Sequence, residues 1–96
     1  MKIDFTRDGT NLIVNLDGRL DASNAPEFES ALNANLADAA ALAINCEKLA
    51  YISSAGLRVL LAAHKKMKGS MKLSNVQELV MEVFELTGFA DILEIV

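Results

Sequence analysis

Ser53 and Ser54 are adjacent hydroxyls in the run Tyr51-Ile-Ser-Ser-Ala-Gly-Leu-Arg58, where an apolar, strand-like stretch gives way to an amphipathic helix. Two chemistries suit a serine there. Its oxygen can accept a hydrogen bond from a free amide of the first helical turn, a cap worth about 1 kcal/mol. It can also carry a phosphate, because the amides at a helix N-terminus favour negative charge. Either serine fits the cap, and a cap alone needs no further function.

Nucleophilic catalysis fails on geometry. The chain has one histidine, His64, ten residues after Ser54 on the same expected helix. At a rise of about 1.5 Å per residue the two lie about 15 Å apart, beyond the reach of a general base. The segment also lacks the Gly-x-Ser-x-Gly elbow of the α/β hydrolases. His64 reads as a partly buried helix residue.

The other reactive types are equally sparse. Cys46 is the only cysteine; it reads as a buried structural thiol, and one Cys with one His cannot build a four-ligand zinc site. The five glycines form neither Gly-x-Gly-x-x-Gly nor a phosphate loop, so no cofactor is expected. Asp21 has no carboxylate partner at a spacing suited to acid–base work and reads as a turn or helix-approach residue. No catalytic or metal-binding residues are assigned, and the chain is not expected to be an enzyme.

The elements that must position Ser53 and Ser54 follow from periodicity. Ile3 and Phe5, then Leu12, Val14 and Leu16, alternate with polar residues around Asp8-Gly9, so residues 2–17 read as a β-hairpin. Gly18 to Asn24 reads as a polar connection. Asn24 and Glu27 form a capping-box pattern with Pro26 in the first turn, opening a helix that buries Phe28, Leu32 and Leu36. Ala40 to Asn45 lacks clean alternation and suits a central strand covered on both faces. A helix from Ala55 to Lys68 follows, burying Leu57, Leu60, Leu61 and His64, and Gly69 ends it. Met71 to Ser74 reads as a short strand. Ser74 and Gln77 suggest a capping box for a third helix that buries Leu79, Val80 and Val83 and stops at Gly88-Phe89. Residues 92–96 suit a last short strand or helical turn. Strand–helix–strand repeats imply parallel neighbours, with the antiparallel hairpin at one edge.

Ninety-six residues allow one domain, 1–96, with one core. Hydrophobic residues make up 52% and charged residues 23%, a globular balance. The opening Met1-Lys-Ile-Asp-Phe-Thr-Arg has no signal-peptide pattern, no window reaches membrane-spanning length, and the lone cysteine forms no internal disulfide. Together these point to the cytoplasm and away from a membrane. A net charge of −4 disfavours nucleic acid as a direct partner. The charge is uneven: residues 49–74 carry five basic and no acidic groups, and residues 75–96 carry five acidic and no basic ones. Arg58, Lys65, Lys66, Lys68 and Lys72 therefore form a local positive region, a solvated helix face or an electrostatic guide.

Tyr51-Ile-Ser-Ser-Ala-Gly-Leu-Arg-Val-Leu-Leu61 resembles the signature of the STAS domain, a family named for sulfate transporters and anti-sigma factor antagonists. Asp17-Gly-Arg-Leu-Asp21, the apolar strand before the signature and Glu85-Leu-Thr-Gly-Phe89 also look like family segments, in the same order. The likeness spans nearly the whole chain. It implies an α/β fold: a mixed four- to five-stranded sheet with an N-terminal β-hairpin and helices packed on one side.

The resemblance also implies a function. In bacterial antagonists of this family the serine two positions before the signature glycine accepts phosphate. With Gly56 as that glycine the acceptor is Ser54, and Ser53 is the alternative. Ser53 stands where many antagonists carry Asp, and Ala55 where many carry Ser or Thr. The implied partners are an anti-sigma factor serine kinase and a serine phosphatase. The unphosphorylated antagonist binds the kinase and frees the sigma factor, and phosphorylation blocks that binding. Asp21, Ala22, Ser23 and Asn24 match one partner-contacting segment; Ser53, Ala55, Gly56, Leu57 and Arg58 flank the acceptor in the other. The alternative within the family is a non-catalytic subunit of a lipid-transport or receptor-linked signalling assembly, with Ser54 as a structural cap.

Overall fold

Alternation sets the first two strands. In the computed structural model, which describes residues 1–96, β1 (Lys2–Asp8) and β2 (Asn11–Leu20) pair antiparallel, with Ile3 opposite Leu16 and Phe5 opposite Val14. Gly9 adopts φ +64° in the turn, a left-handed conformation that glycine enters without steric cost. The chain continues through α1 (Ala25–Leu36), β3 (Ala41–Ile52), α2 (Ser54–Lys66), β4 (Met71–Ser74) and α3 (Glu78–Thr87). A 3₁₀ turn at Phe89–Asp91 leads to β5 (Glu94–Ile95). The five strands lie in sequence order, the first pair antiparallel and the other three pairs parallel.

Every second residue of the first part of β2 and of β3 is buried: Leu12, Val14 and Leu16, then Leu42, Ile44 and Cys46. Met71 and Leu73 of β4 extend that layer, and Phe28 and Leu32 of α1, Leu57 and Leu60 of α2, and Val80 and Phe84 of α3 close over it. The result is one apolar cluster of 21 residues, with all three helices contributing to the same core. Burying each large side chain contributes about 1.5–3 kcal/mol, which makes this layer the main source of stability.

The sheet differs from the expected one at its centre. β3 is covered on one face only, because Ala41, Ala43 and Asn45 alternate outward. It also runs well past Asn45, to Ile52, and β2 runs through Gly18 to Leu20. The reason is a double register shift. Asn15 pairs with Asn45, Asp17 with Lys48, and Arg19 with Tyr51, so β3 takes up one extra residue at each of two bulges. Burial along β3 accordingly changes from every second residue to Cys46, Leu49 and Ile52. A period of three hides a strand from any test for alternation.

The helix ends differ too. Asn24 does not cap α1 with its side chain, and no Asn24–Glu27 box forms. Its Oδ1 accepts from the Asp21 amide at 2.9 Å and its Nδ2 donates to the Arg19 carbonyl at 2.7 Å. α2 ends at Lys66 rather than Lys68: the amides of Lys68 and Gly69 donate back to the carbonyls of Lys65 and His64. That paired closure puts Lys68 itself at φ +52°. Ser74 stays in β4, and α3 starts at Glu78 without a side-chain cap. Its core residues are Val80 and Phe84, and packing on that pair turns Leu79 outward to 67% exposure and leaves Val83 half-buried. Gly88 stops α3 at φ +80°, as the sequence indicates.

Candidate functional site

β2 and β3 are parallel neighbours, so their carboxyl ends emerge side by side and the loops that follow must lie together. A crevice outside the carboxyl ends of parallel strands is the usual site of function in such sheets. The Ser53 amide donates to the Leu20 carbonyl at 2.9 Å, one rung beyond the Leu20–Ile52 pair. Residues 21–24 and 53–56 are thereby held as one surface.

The two serines divide the available roles. Ser53 is the N-cap of α2, with extended backbone (φ −99°, ψ 174°), and its Oγ accepts from the Gly56 amide at 3.5 Å. Its carbonyl accepts from the Leu57 amide at 3.0 Å and starts the helical ladder. Ser54 is therefore not the cap. It is the first helical residue, exposed, one position past a cap already formed. The first turn of α2 has no acidic residue, and Arg58 is exposed one turn further on. The first turn itself therefore supplies no acid to offset the positive end of the helix dipole beside Ser54.

Gly56 sets how closely α2 approaches the sheet. A Cβ there would lie 2.7 Å from Leu20 Cγ and 2.9 Å from Ile52 Cγ1, inside any real contact distance. Only glycine lets the first turn of α2 sit on the ends of β2 and β3. Leu57, placed by resemblance among partner-contacting residues, packs into the core at 3% exposure, since its side chain points toward the sheet. Gly56 and Leu57 position the segment; Ser54 and Arg58 project from it.

The neighbouring loop is built around Asp21. Its Oδ1 accepts from the Ser23 amide at 3.0 Å and the Ser23 hydroxyl at 2.6 Å. The Ser23 hydroxyl bond, then the Ser23 amide bond, hold the Asp21 carboxyl below its ordinary range. The Asp21 carbonyl takes the amides of Asn24 and Ala25, so the turn leads straight into α1. Ala22 and Ser23 are left exposed. A shallow groove joins the loops, with Ala22 and Pro26 on the α1 side and Ala55 and Arg58 on the α2 side.

Two features of this end of the sheet were not legible as site residues. Arg19 stacks over the Tyr51 ring at 4.2 Å from its centroid, a cation–π pair directly before the two loops. Asn45 donates to Asn15 Oδ1 at 3.0 Å and accepts from Asn75 Nδ2 at 3.0 Å, linking the middle of β2 and β3 to the end of β4. Neither pair is local in sequence. The parallel order of β2, β3 and β4 was the only signal that could have indicated them.

The remaining reactive groups lie elsewhere. His64 is half-buried in the last turns of α2, with its Nδ1 buried and unpartnered. Cys46 is wholly buried, and desolvation pushes its thiol up to about 12. No three His, Cys, Asp or Glu side chains converge as a metal site, and no helix is long and apolar enough to cross a membrane. The basic stretch clusters at the far end of α2, where Lys66 donates to Asn33 Oδ1 at 2.7 Å and Lys72 faces Glu94 at 3.9 Å. Of its members only Arg58 borders the Ser54 surface.

Comparison with known proteins places this geometry in context. The STAS domain family matches residues 2–96. The anti-sigma-B factor antagonist of Bacillus subtilis is 31% identical over 98 residues, covering 99% of this chain and 90% of that protein. The crystal structure of an anti-sigma factor antagonist from Mycobacterium paratuberculosis superposes with a TM-score of 0.88 at 24% identity, covering 98% of this chain and 83% of the other. SpoIIAA, an anti-sigma factor antagonist and Bacillus cell fate determinant, shares the fold at a TM-score of 0.76 in both its unphosphorylated and phosphorylated forms. Those alignments cover 99% of this chain, at 15% and 16% identity, and 87% and 91% of the two SpoIIAA chains. With its ordered strands, glycine-seated helix and paired loops, the chain belongs to the STAS domain family.

Proposed function

We propose that this protein is an anti-sigma factor antagonist whose binding surface is formed by residues 21–24 and the exposed part of 53–58, and whose switch is phosphorylation of Ser54. One observation carries the reading: Ser53 supplies the helix cap, leaving Ser54 exposed at the positive end of α2. The names of the relatives support the antagonist role, and SpoIIAA provides a case of this fold in both phosphorylation states. In the alternative reading, a non-catalytic subunit of a lipid-transport or receptor-linked assembly, the structural cap is Ser53 rather than Ser54.

In this reading the protein binds and does not catalyse. Unmodified, it presents small side chains (Ala22, Ser23, Ser54, Ala55) to an anti-sigma factor serine kinase, and the sigma factor is released. Transfer of a phosphoryl group to Ser54 Oγ adds about −1.5 to −2 charges. Within the domain that charge faces helix amides and, four residues on, Arg58 on the same helical face. At the interface the same charge must be desolvated against the partner, so the fold persists and the complex does not. A serine phosphatase restores the binding form, and the cycle runs in the cytoplasm.

Incubation with the cognate kinase and ATP tests this directly. Wild type should gain about 80 Da, the mass of one phosphoryl group. Ser54→Ala should bind the kinase and remain unmodified, and Ser54→Asp should not bind. Modification that survives in Ser54→Ala and vanishes in Ser53→Ala moves the acceptor to Ser53. Absence of any mass gain in wild type removes the switch.

A further inference from the structure

We infer that the surface read by the serine kinase continues beyond the two loops onto an apolar groove between the end of β3 and α3, which receives an apolar side chain with a basic group on the side that faces α3. This inference rests on the proposed antagonist function. The groove is walled by Tyr51, with Arg19 stacked on it, and by Leu79, Glu82, Val83 and Leu86 of α3.

The α3 stripe is not needed for the core. Val80 and Phe84 already anchor the helix, whereas Leu79 and Leu86 are 67% and 88% exposed. Their spacing with Val83, at i, i+4 and i+7, places all three on one side of α3. A continuous apolar stripe on an exposed helix face marks an interaction surface more often than isolated exposed leucines do.

Continuity and area identify the occupant. Tyr51 and Ile52 run directly into Ser53, and the Arg19 carbonyl is held by Asn24 of the other loop, so groove and loops share one frame. A stable complex buries about 800 Å² per partner. The whole chain exposes 5311 Å², and the exposed positions of the two loops are mostly small, Ala22, Ser23 and Ser54, with Arg58 at one border. A kinase seated on Ser54 needs more surface, and the groove is the adjoining apolar area. Tyr51, Leu79 and Leu86 there supply the large apolar contacts that the loops lack, and aromatic side chains are enriched where binding energy concentrates.

Charge fixes the chemistry of the contact. On the α3 side the groove is lined by Glu82, with Glu78 and Glu85 on the same helix and no basic residue there, while Arg19 lies across it on Tyr51. The complementary element on the kinase is therefore an apolar anchor with a Lys or Arg on the side that faces α3.

Calorimetric titration of the unphosphorylated chain with its purified cognate kinase tests the inference. Leu79→Ser/Leu86→Ser should weaken binding at least tenfold with an unchanged thermal midpoint, since both side chains are exposed. Glu82→Lys should weaken it several-fold, with the loss shrinking at high salt. If both variants bind like wild type while Ser54→Asp does not bind, the groove inference is overturned and the antagonist reading stands. If wild type fails to bind the kinase, both are overturned. Self-association of wild type that the double variant loses, with kinase affinity unchanged, assigns the groove to a second copy and overturns the inference.

Discussion

The Ser53 amide donates to the Leu20 carbonyl at 2.9 Å, and that bond joins the loops at residues 21–24 and 53–56 into one surface. Neither loop presents much alone. Joined, they place an exposed serine, a low-pKa aspartate and a groove of small side chains beside the N-terminus of α2. A partner seated on Ser54 would also meet the Asp21 loop.

The two serines should separate in stability measurements. Ser53→Ala removes the cap and should cost about 0.5–1 kcal/mol, toward the low end because the bond to Gly56 is long at 3.5 Å. Ser54→Ala should change stability by less than about 0.5 kcal/mol. Ser54→Asp should stabilise slightly, by about 0.3–1 kcal/mol, through the helix dipole. Urea unfolding of the three variants checks the order.

Gly56→Ala sets helix propensity against packing. Propensity favours Ala by about 1 kcal/mol. The new Cβ, 2.7 Å from Leu20 Cγ, forces α2 off the sheet ends at a cost of about 1–3 kcal/mol or more. Packing should win, lowering the thermal midpoint by several degrees, at about 4–8 °C per kcal/mol for a chain this size. An unchanged or raised midpoint would show that the contact relaxes freely.

Phe84 and Leu79 should behave oppositely despite lying on one helix. Phe84 is fully buried, so Phe84→Ala should cost about 3–5 kcal/mol. Leu79→Ala removes a mostly exposed side chain and should stay within about 0.5 kcal/mol. Thermal melts of both variants compare them.

Asp21 should titrate below an ordinary carboxylate, and Ser23→Ala should raise its midpoint by removing the hydroxyl bond that contributes most. A depressed native pKa stabilises the fold above the unfolded carboxylate pKa, near 3.8, and that contribution is lost as pH falls through the lower native value. Carboxyl chemical shifts followed from neutral to acidic pH in both proteins measure the midpoint. Equal midpoints would show that the Ser23 hydroxyl does not hold the carboxylate.

Cys46 should resist thiol reagents in the native state and react promptly once the chain unfolds, because burial holds its thiol neutral up to about 12. The sign for stability follows. The buried neutral thiol is fully compatible with folding below the unfolded pKa near 9.0, and stability falls as pH rises from there toward the native value. Cys46→Ala should show a shallower loss between those limits, read from denaturant midpoints.

Much of the fold was legible because its signals are local. Alternation gave the hairpin, Gly88 marked the end of α3, and Met71–Ser74 formed the short strand where it was expected. The Asn24–Glu27 and Ser74–Gln77 capping patterns failed for one physical reason: strand hydrogen bonds and loop closure claimed the same side chains or backbone first. Asn24 was taken by Arg19 and Asp21, and Ser74 by the ladder to Asn45.

The Ser53-Ser54 pair shows where sequence stops and tertiary structure takes over. Residue types and order alone determined that a hydroxyl would stand at the start of α2, that no base could reach it, and that the segment resembles a known signature. They could not choose between the two serines, because capping depends on which residue keeps an extended backbone. That was decided by β3: its two bulges carry the strand as far as Ile52, and the bond to Leu20 holds Ser53 extended. The cap therefore falls on Ser53 and the exposed position on Ser54. Arg19 over Tyr51 and the exposure of Leu79 and Leu86 were likewise decided by strand order and helix rotation, which depend on contacts between distant parts of the chain.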